Sequence, residues 1–484
     1  MADVDILIVG AGPVGLLLAN ECARRGLRYR IVERRPELSI YSKALAIFPR
    51  TLEVLDMAGL IAPFLKVANR VTWVSAIAGR RRLAHIRFAP PDTPYPFVAM
   101  VPQNVTESLL EAALRERGGA VEFDTEFASA DEGTEAVTAS LRRDGGLEQC
   151  TAKYVVGCDG AHSSVRHLLA LPFEGAQYRA TFLLADVQTN ESLPADALQL
   201  CPSRQGPLAI FPMSATRRRV VATVPEALGD APSLELVQRL LTERAPPEVE
   251  VRRILWSSYF KVHHRQLSRL RVGRLFLAGD AAHVHSPFGG QGMNTGLQDV
   301  WNLAWKLDIA AQGRATDALL DSYSLERRPV IARVIELTHR MTQVLGSASL
   351  PAQLMRNVAI PVATRLPSVQ RAMVRRLSQL DVSYAGSPIV DGTGARHFDD
   401  SLCGGAGIGR RLVLRLGGAV APSPQAAALL KTFSEDLELC RQEHGVMLLR
   451  PDGYLAYSSK DPSSDAALAA VRSVLSRQIT QNIT

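Results

Sequence analysis

Pro287, Phe288, Gly289, Gly290, Gln291 and Gly292 form a turn that opens a long apolar-striped helix. The stripe is Met293, Leu297, Val300, Trp301, Ala304, Trp305 and Leu307, at helical spacing. Glycines lack a Cβ, so the backbone of such a turn can approach a ligand closely. The first turn of a helix adds unpaired N–H groups and a partial positive charge. Together they suit an anion, or a ring that gains negative charge on reduction. Just upstream an apolar strand, 275–278, delivers Gly279 and Asp280, whose carboxylate is placed to accept hydrogen bonds from ligand hydroxyls. Taken alone, the stretch also fits an ordinary strand–turn–helix corner.

A second glycine corner stands near the start. The strand DILIV, 5–9, runs into Gly10, Ala11, Gly12, Pro13, Val14 and Gly15, then into an apolar helix closed by Gly26 and a strand, 28–32, ending at Glu33. This is the dinucleotide-binding β-α-β pattern in its full context. Gly10 permits the tight turn, Gly12 the approach of a pyrophosphate, and Gly15 close packing of helix on strand. Glu33 is placed to hold ribose hydroxyls. An acidic residue there disfavours a 2′-phosphate, so FAD or NAD fits better than NADP. A third corner, KYVVGCDGAHSSVR at 153–166, sets Asp159 before a helix, where it either caps N–H groups or meets ligand. Lys43 and Arg50, before and at the start of a helix over 51–57, either balance ligand phosphates or face solvent. Gln103 and Glu107 stand at the start of a helix beginning near Asn104.

The elements that must position these groups fill 484 residues, room for two or three domains. Residues 178–262 read as strands interrupted by a helix at 234–244, an antiparallel sheet inserted into the dinucleotide fold. Phe211, Met213, Tyr259 and Phe260 on it either line a pocket or are core. Helices follow over 315–380, broken at Pro329, Pro351, Pro361 and Pro367, then a linker at 387–409. The tail holds a strand, a helix, a hairpin turning at Pro451-Asp452-Gly453, and a last helix. The net charge of +7 includes small clusters at Arg80–Arg82 and Arg217–Arg219, solvated loops or a mild field for an acidic ligand. No aromatic-interleaved basic stripe points to nucleic acid. Six cysteines lie far apart without C-x-x-C, which argues against zinc and disulfides and fits a reducing cytosol. No apolar run is long enough for membrane insertion and no signal peptide is evident, so the cytoplasm is the expected location.

The three corners together resemble the class A FAD-dependent monooxygenases of the para-hydroxybenzoate hydroxylase type, over about residues 3 to 340. LDVSYAGSP and LLRPDGYLAY resemble the subgroup with a thioredoxin-like C-terminal domain, which includes hydroxylases of phenol, aromatic polyketides and antibiotics. The resemblance implies an α/β fold with a Rossmann-like FAD-binding domain of the GR2 type from 1–70, 100–177 and 265–340. It implies a substrate-binding antiparallel sheet domain from 71–99 and 178–264, a helical segment and linker over 341–390, and a thioredoxin-like α/β domain over 391–484. FAD is the implied cofactor, NADPH or NADH the transient donor, and an aromatic substrate and molecular oxygen the partners; a homodimer is the assembly considered. By the same resemblance Gly10, Gly12, Gly15 and Glu33 hold the ADP half, Arg34 lies near the adenosine, and Gln103 near the pyrophosphate. Asp280, following Gly279, binds ribityl or ribose hydroxyls, and Pro287 stands beside the isoalloxazine. Beyond Gly290, the N–H groups of Gly292, Met293 and Asn294 meet the pyrimidine edge, and Asp159 belongs to a motif for FAD and NAD(P)H. Phe288 joins the pocket candidates Phe211, Met213 and Tyr259. Lys43 departs from the family's arginine, keeping the charge and losing the planar fork. The implied reaction is hydroxylation of a phenolic ring through a flavin C4a-hydroperoxide. The alternatives are Baeyer–Villiger oxidation, epoxidation or dehydrogenation on the same fold, or a non-catalytic flavin-bearing binding protein. His263, His264, Arg265 and His285 are candidates for the substrate's general base, or structural.

Overall fold

Three parallel pairings form the centre of the first, seven-stranded sheet, whose other three pairings are antiparallel. Val4–Val9 lies between Tyr29–Val32 and Gly146–Gly157, and Leu275–Leu277 pairs on the far side of Gly146–Gly157. Val4–Val9 is buried throughout, which is why it reads as a continuous apolar run. The computed structural model describes residues 2–346, 353–404, 411–417, 423–461 and 465–480, apart from single positions 80, 228 and 247. Arg80, Pro351 and residues 405–409 of the expected linker therefore lie outside the described residues. The nucleotide helix Pro13–Arg25 starts at Gly12 with Pro13 in its first turn, and Gly26 ends it at φ +73°.

The second sheet has eight strands in the order His283–Val284, Val251–Leu267, Phe173–Thr189, Arg217–Val224, Leu208–Pro212, Ala197–Cys201, Trp73–Ala78 and Arg81–Arg87. One neighbouring pair, Ala197–Cys201 with Trp73–Ala78, runs parallel, so the expected all-antiparallel sheet is corrected there. The chain enters this sheet twice, and distant segments are free to meet in either direction. His283–Val284 was not anticipated as a strand. After Leu277 the chain leaves the first sheet, turns through Gly279–Ala281, and adds this short strand to the edge of the second. Only then does it enter the corner helix, Gly292–Ala311. The corner thus ties the two sheets together.

The long helix Asp317–Gly346 runs on through Pro329, which was expected to break it. A mid-helix proline removes one hydrogen bond, at a cost of about 3 kcal/mol. Packing of Glu326, Arg327, Val330 and Ile331, all buried on either side of it, outweighs that cost. The C-terminal unit orders its strands Leu437–Gln442, Leu412–Gly417, Val446–Leu449, Leu455–Ser459, the first pair parallel and the rest antiparallel. Helices Pro424–Thr432 and Asp465–Gln478 complete it, a layout consistent with the thioredoxin-like expectation. Its hairpin turn is not at the surface. Arg450, Asp452 and Tyr454 are buried, with Arg450 gripping Glu326 of the long helix at 2.6 and 2.8 Å.

Candidate active site

The three glycine corners converge. Gly10 takes φ +101°, and a Cβ there would lie 2.7 Å from the Cys158 carbonyl and 2.8 Å from Asp159 Cα. At Gly15 a Cβ would lie 1.9 Å from the Gly10 carbonyl, so helix and strand meet only because both residues are glycine. At Gly12 nothing lies within 4 Å, which leaves the open face that a pyrophosphate needs. Val14 links this corner to the other, because Cβ atoms at Gly279 and Gly296 would fall 2.9 and 2.7 Å from its Cγ2. Glu33 is buried and its Oε2 accepts from Ala11 N at 2.9 Å. Burial alone would raise its pKa; hydrogen bonds from Arg35 and from Ala11 N win and hold it below the usual range. Arg34 is exposed, over a surface hollow shared with Asp124, Glu126 and Arg142.

Asp280 lies in the turn Gly279–Ala281, at the corner that Val14 links to the first. Its side chain is exposed, and among the described residues it has no hydrogen-bond partner. The surrounding protein nonetheless pushes its pKa up, opposed by His283 and Lys43. A carboxylate raised in energy and without a partner fits a ligand that brings hydroxyl groups. The turn Pro287–Gly289 follows, Gly290 takes φ +62°, and the corner helix begins. The N–H groups of Gly292, Met293 and Asn294 precede the first backbone bond of that helix, Thr295 N to Gln291 O. A Cβ at Gly292 would meet only the His285 ring, at 3.7 Å or more. The Asn294 side chain is turned away, accepting from Phe48 N at 2.9 Å and donating to Ala46 O at 2.8 Å. It fastens the loop after Lys43 to the corner helix. Gln103 fastens the same loop from the other end, its N–H donating to Ser42 Oγ and its Oε1 accepting from Ala44 N.

Two expectations about basic residues are corrected. Arg50 neither balances a phosphate nor faces solvent. It is buried, paired with Glu53 at 2.9 Å and donating to the Asp452 carbonyl at 2.7 Å. Arg218 and Arg219 are buried rather than solvated. Arg219 makes a two-point bond to Asp186 at 2.7 and 3.0 Å and donates to the carbonyls of Lys43 and Ala44, both at 3.1 Å. It ties the second sheet to the Lys43 loop, while the Lys43 side chain stays exposed. Asp159 does cap, its Oδ2 accepting from Ser164 N at 2.6 Å, with Oδ1 buried and unpartnered.

One face of the second sheet packs an aromatic cluster against the turn Pro287–Gly289. Phe182, Phe211 and Phe288 are buried there, with Met213, Phe260 and Tyr178 half-buried beside them. Tyr259 is not among them. It packs on the opposite face with Leu183, Ile210 and the helix Leu234–Arg244, and so is corrected as a pocket residue. Side chains alternate along a strand, so Tyr259 and Phe260 cannot share a face. Phe260 stands opposite Phe182, which settles the phase.

Of the base candidates, His263 and His264 have pKa values lowered by burial. A pair that spacing did not reveal stands at the edge of the aromatic face, Tyr178 Oη to His339 Nδ1 at 2.8 Å. His285 Nδ1 donates to the Ser286 carbonyl at 3.1 Å, which leaves Nε2 as a buried lone pair without a partner. Burial and the neighbouring His283 lower its pKa to about 4. The unfolded imidazole takes a proton near 6.5. Stability is therefore lost as pH falls from about 6.5 towards 4, because only the unfolded chain binds that proton. Between pH 7.5 and 5 this group should withdraw about 2 kcal/mol from the apo-protein. His285→Phe should flatten the pH dependence of the unfolding free energy from urea melts by that amount; an unchanged pH dependence would contradict it.

The family model described as FAD binding domain matches residues 3–338. The chain is 37% identical over 405 residues to 6-methylpretetramide 4-monooxygenase of Streptomyces rimosus, covering 81% of this chain and 72% of that one. The solved structure of OxyS anhydrotetracycline hydroxylase from Streptomyces rimosus superposes with a TM-score of 0.79 at 30% identity, covering 97% of this chain and 98% of that one. A ternary complex of aklavinone-11 hydroxylase with FAD and aklavinone gives a TM-score of 0.79 at 25% identity, covering 99% of each. A cradle of three converging corners, matched along nearly the whole chain by such relatives, places this protein in the FAD binding domain family as an FAD-dependent aromatic monooxygenase.

Proposed function

We propose that the enzyme hydroxylates a polycyclic phenol of the aromatic polyketide or antibiotic class, using NADPH or NADH and molecular oxygen. The relatives named for 6-methylpretetramide, anhydrotetracycline and aklavinone support the substrate class. The observation that carries it is the wide aromatic face of Phe182, Phe211, Phe260 and Phe288 beside a partnerless Asp280 and an open helix N-terminus. Bound FAD supplies the two-electron and oxygen chemistry, which no side chain can.

The chain's own residues do the rest. Gly10, Gly12, Pro13, Val14 and Gly15 admit the ADP half, Glu33 holds its ribose, and Arg34 and Gln103 flank it. Gly279 displays Asp280 towards the ribityl hydroxyls. Pro287 and Gly290 shape the turn beside the flavin ring. The N–H groups of Gly292, Met293 and Asn294 stabilise negative charge on that ring's edge. The phenylalanine face excludes water from the reacting atoms. Lys43, exposed on a loop tethered at Ser42, Ala44 and Ala46, is the charge offered to NAD(P)H. Among the described residues no helix is long and apolar enough to cross a membrane. We place the enzyme in the cytoplasm, as a homodimer; a sizing column decides the latter.

Incubation with NADPH or NADH and a panel of phenols that includes anhydrotetracycline tests this reading. The expected result is substrate-stimulated nucleotide oxidation and a product carrying one added phenolic oxygen. A lactone or epoxide would move the enzyme to other oxygen chemistry, and binding without stimulated oxidation would contradict catalysis. With the phenol so found, Phe260→Ala should raise KM about tenfold. Tyr259→Phe, on the far face, should leave it within about twofold; the reverse order would refute the assignment of faces.

A further inference from the structure

The turn that displays Asp280 is fixed from behind by one buried carboxylate. Asp299, in the corner helix, is fully buried. Its Oδ2 accepts from Gly279 N at 3.2 Å and pairs with His283 Nε2 at 2.7 Å. Gly279 precedes Asp280 and His283 follows it three residues on, so a single group pins both ends of the turn. Asp299 Oδ1 accepts from Arg327 Nε at 2.8 Å. Arg327 is also fully buried, and it donates to the Thr295 carbonyl at 3.2 Å and to Tyr384 Oη at 3.0 Å. Tyr384 lies in the segment leading to the C-terminal unit and packs on Tyr454 of its buried hairpin, ring centres 4.3 Å apart.

We propose that Asp299 and Arg327 are positioning residues for the flavin cradle, and that Tyr384 braces Arg327 from the far end of the same chain of bonds. A buried ion pair is no better than an apolar pair of like volume at holding a core together. What this chain of bonds adds is geometry, because each member has a defined direction and the last two bonds end on the residues that flank Asp280. A second buried cluster supplies the control. Glu326, next to Arg327 on the same helix, binds Lys306 and Asn302 of the corner helix, Ser387, and Arg450 of the C-terminal unit. It is as buried as Asp299 and touches neither Gly279 nor His283.

The test uses full-length protein stripped of FAD, in the variants Asp299→Asn, Glu326→Gln and Tyr384→Phe. Each is titrated with FAD by quenching of flavin fluorescence, and its unfolding is followed without FAD. Asp299→Asn should raise the Kd for FAD at least about tenfold and change the circular dichroism of the bound flavin. Asp299→Asn and Glu326→Gln should lower the apo melting temperature alike, while Glu326→Gln leaves both the Kd, within about twofold, and the flavin dichroism unchanged. Tyr384→Phe removes one hydroxyl at the far end and should raise the Kd about two- to fivefold. Equal rises in Asp299→Asn and Glu326→Gln would overturn the proposal, as would an unchanged Kd in Asp299→Asn. If Asp299→Asn does not fold, an unchanged Kd in Tyr384→Phe overturns it.

Discussion

Replacing Asp280 by alanine should weaken FAD binding about 10- to 100-fold and leave the apo-protein folded. A hydrogen bond to a charged group is worth about 1.5–3 kcal/mol, and each 1.4 kcal/mol is a factor of about ten in Kd. The protein itself loses nothing, because the Asp280 carboxylate has no partner among the described residues. The apo melting temperature of the variant should therefore stay close to that of the parent. Titration of the apo-variant with FAD at matched salt checks the affinity. An unchanged Kd would remove Asp280 from the site, and a collapsed melting temperature would make its role structural.

The second large effect separates two glycines three positions apart. Gly15→Ala puts a methyl 1.9 Å from the Gly10 carbonyl, and neither backbone can give way without opening the helix from the strand. The expected cost is about 3 kcal/mol or more, at the upper end for overpacking, with flavin binding lost alongside. Gly12→Ala meets nothing within 4 Å and sits at φ −74°, which alanine adopts freely. Its apo-stability should stay within about 0.5 kcal/mol of the parent, while FAD binding falls because the methyl occupies the pyrophosphate's approach. Urea unfolding of both apo-variants, beside FAD titration, reads the difference. Equal stability losses in the two would mean that the open face at Gly12 is misassigned.

The parts of the site that sequence discloses are those whose chemistry is local. Gly10, Gly12, Gly15 and Glu33 announce themselves because turn, helix and strand follow within a few residues. Asp280 and the glycine turn do so for the same reason. What escapes is set by partners far along the chain. Arg50 has Glu53 one turn on, but its burial follows only once Asp452, some 400 residues on, is seen to hold its other side. Pro451-Asp452-Gly453 reads as a turn, and is one, but nothing in those residues says that it is buried or that Arg450 and Asp452 find partners on the corner and long helices. Arg219 looks like part of a solvated basic run, and only the sheet register brings Asp186 beside it. Alternation says that one of Tyr259 and Phe260 faces the cleft; the pairing with Phe182 decides which. Pro329 signals a break, and the buried packing and ion pairs around it overrule the signal.

Corners that lie far apart in sequence form one cradle for FAD, and equilibrium titration of the apo-protein with FAD tests that cradle most directly. Quenched flavin fluorescence should saturate at one FAD per chain, and NADP+ should not compete for the same place. A chain that stays colourless at any FAD concentration, or that gives up the site to NADP+, would contradict it.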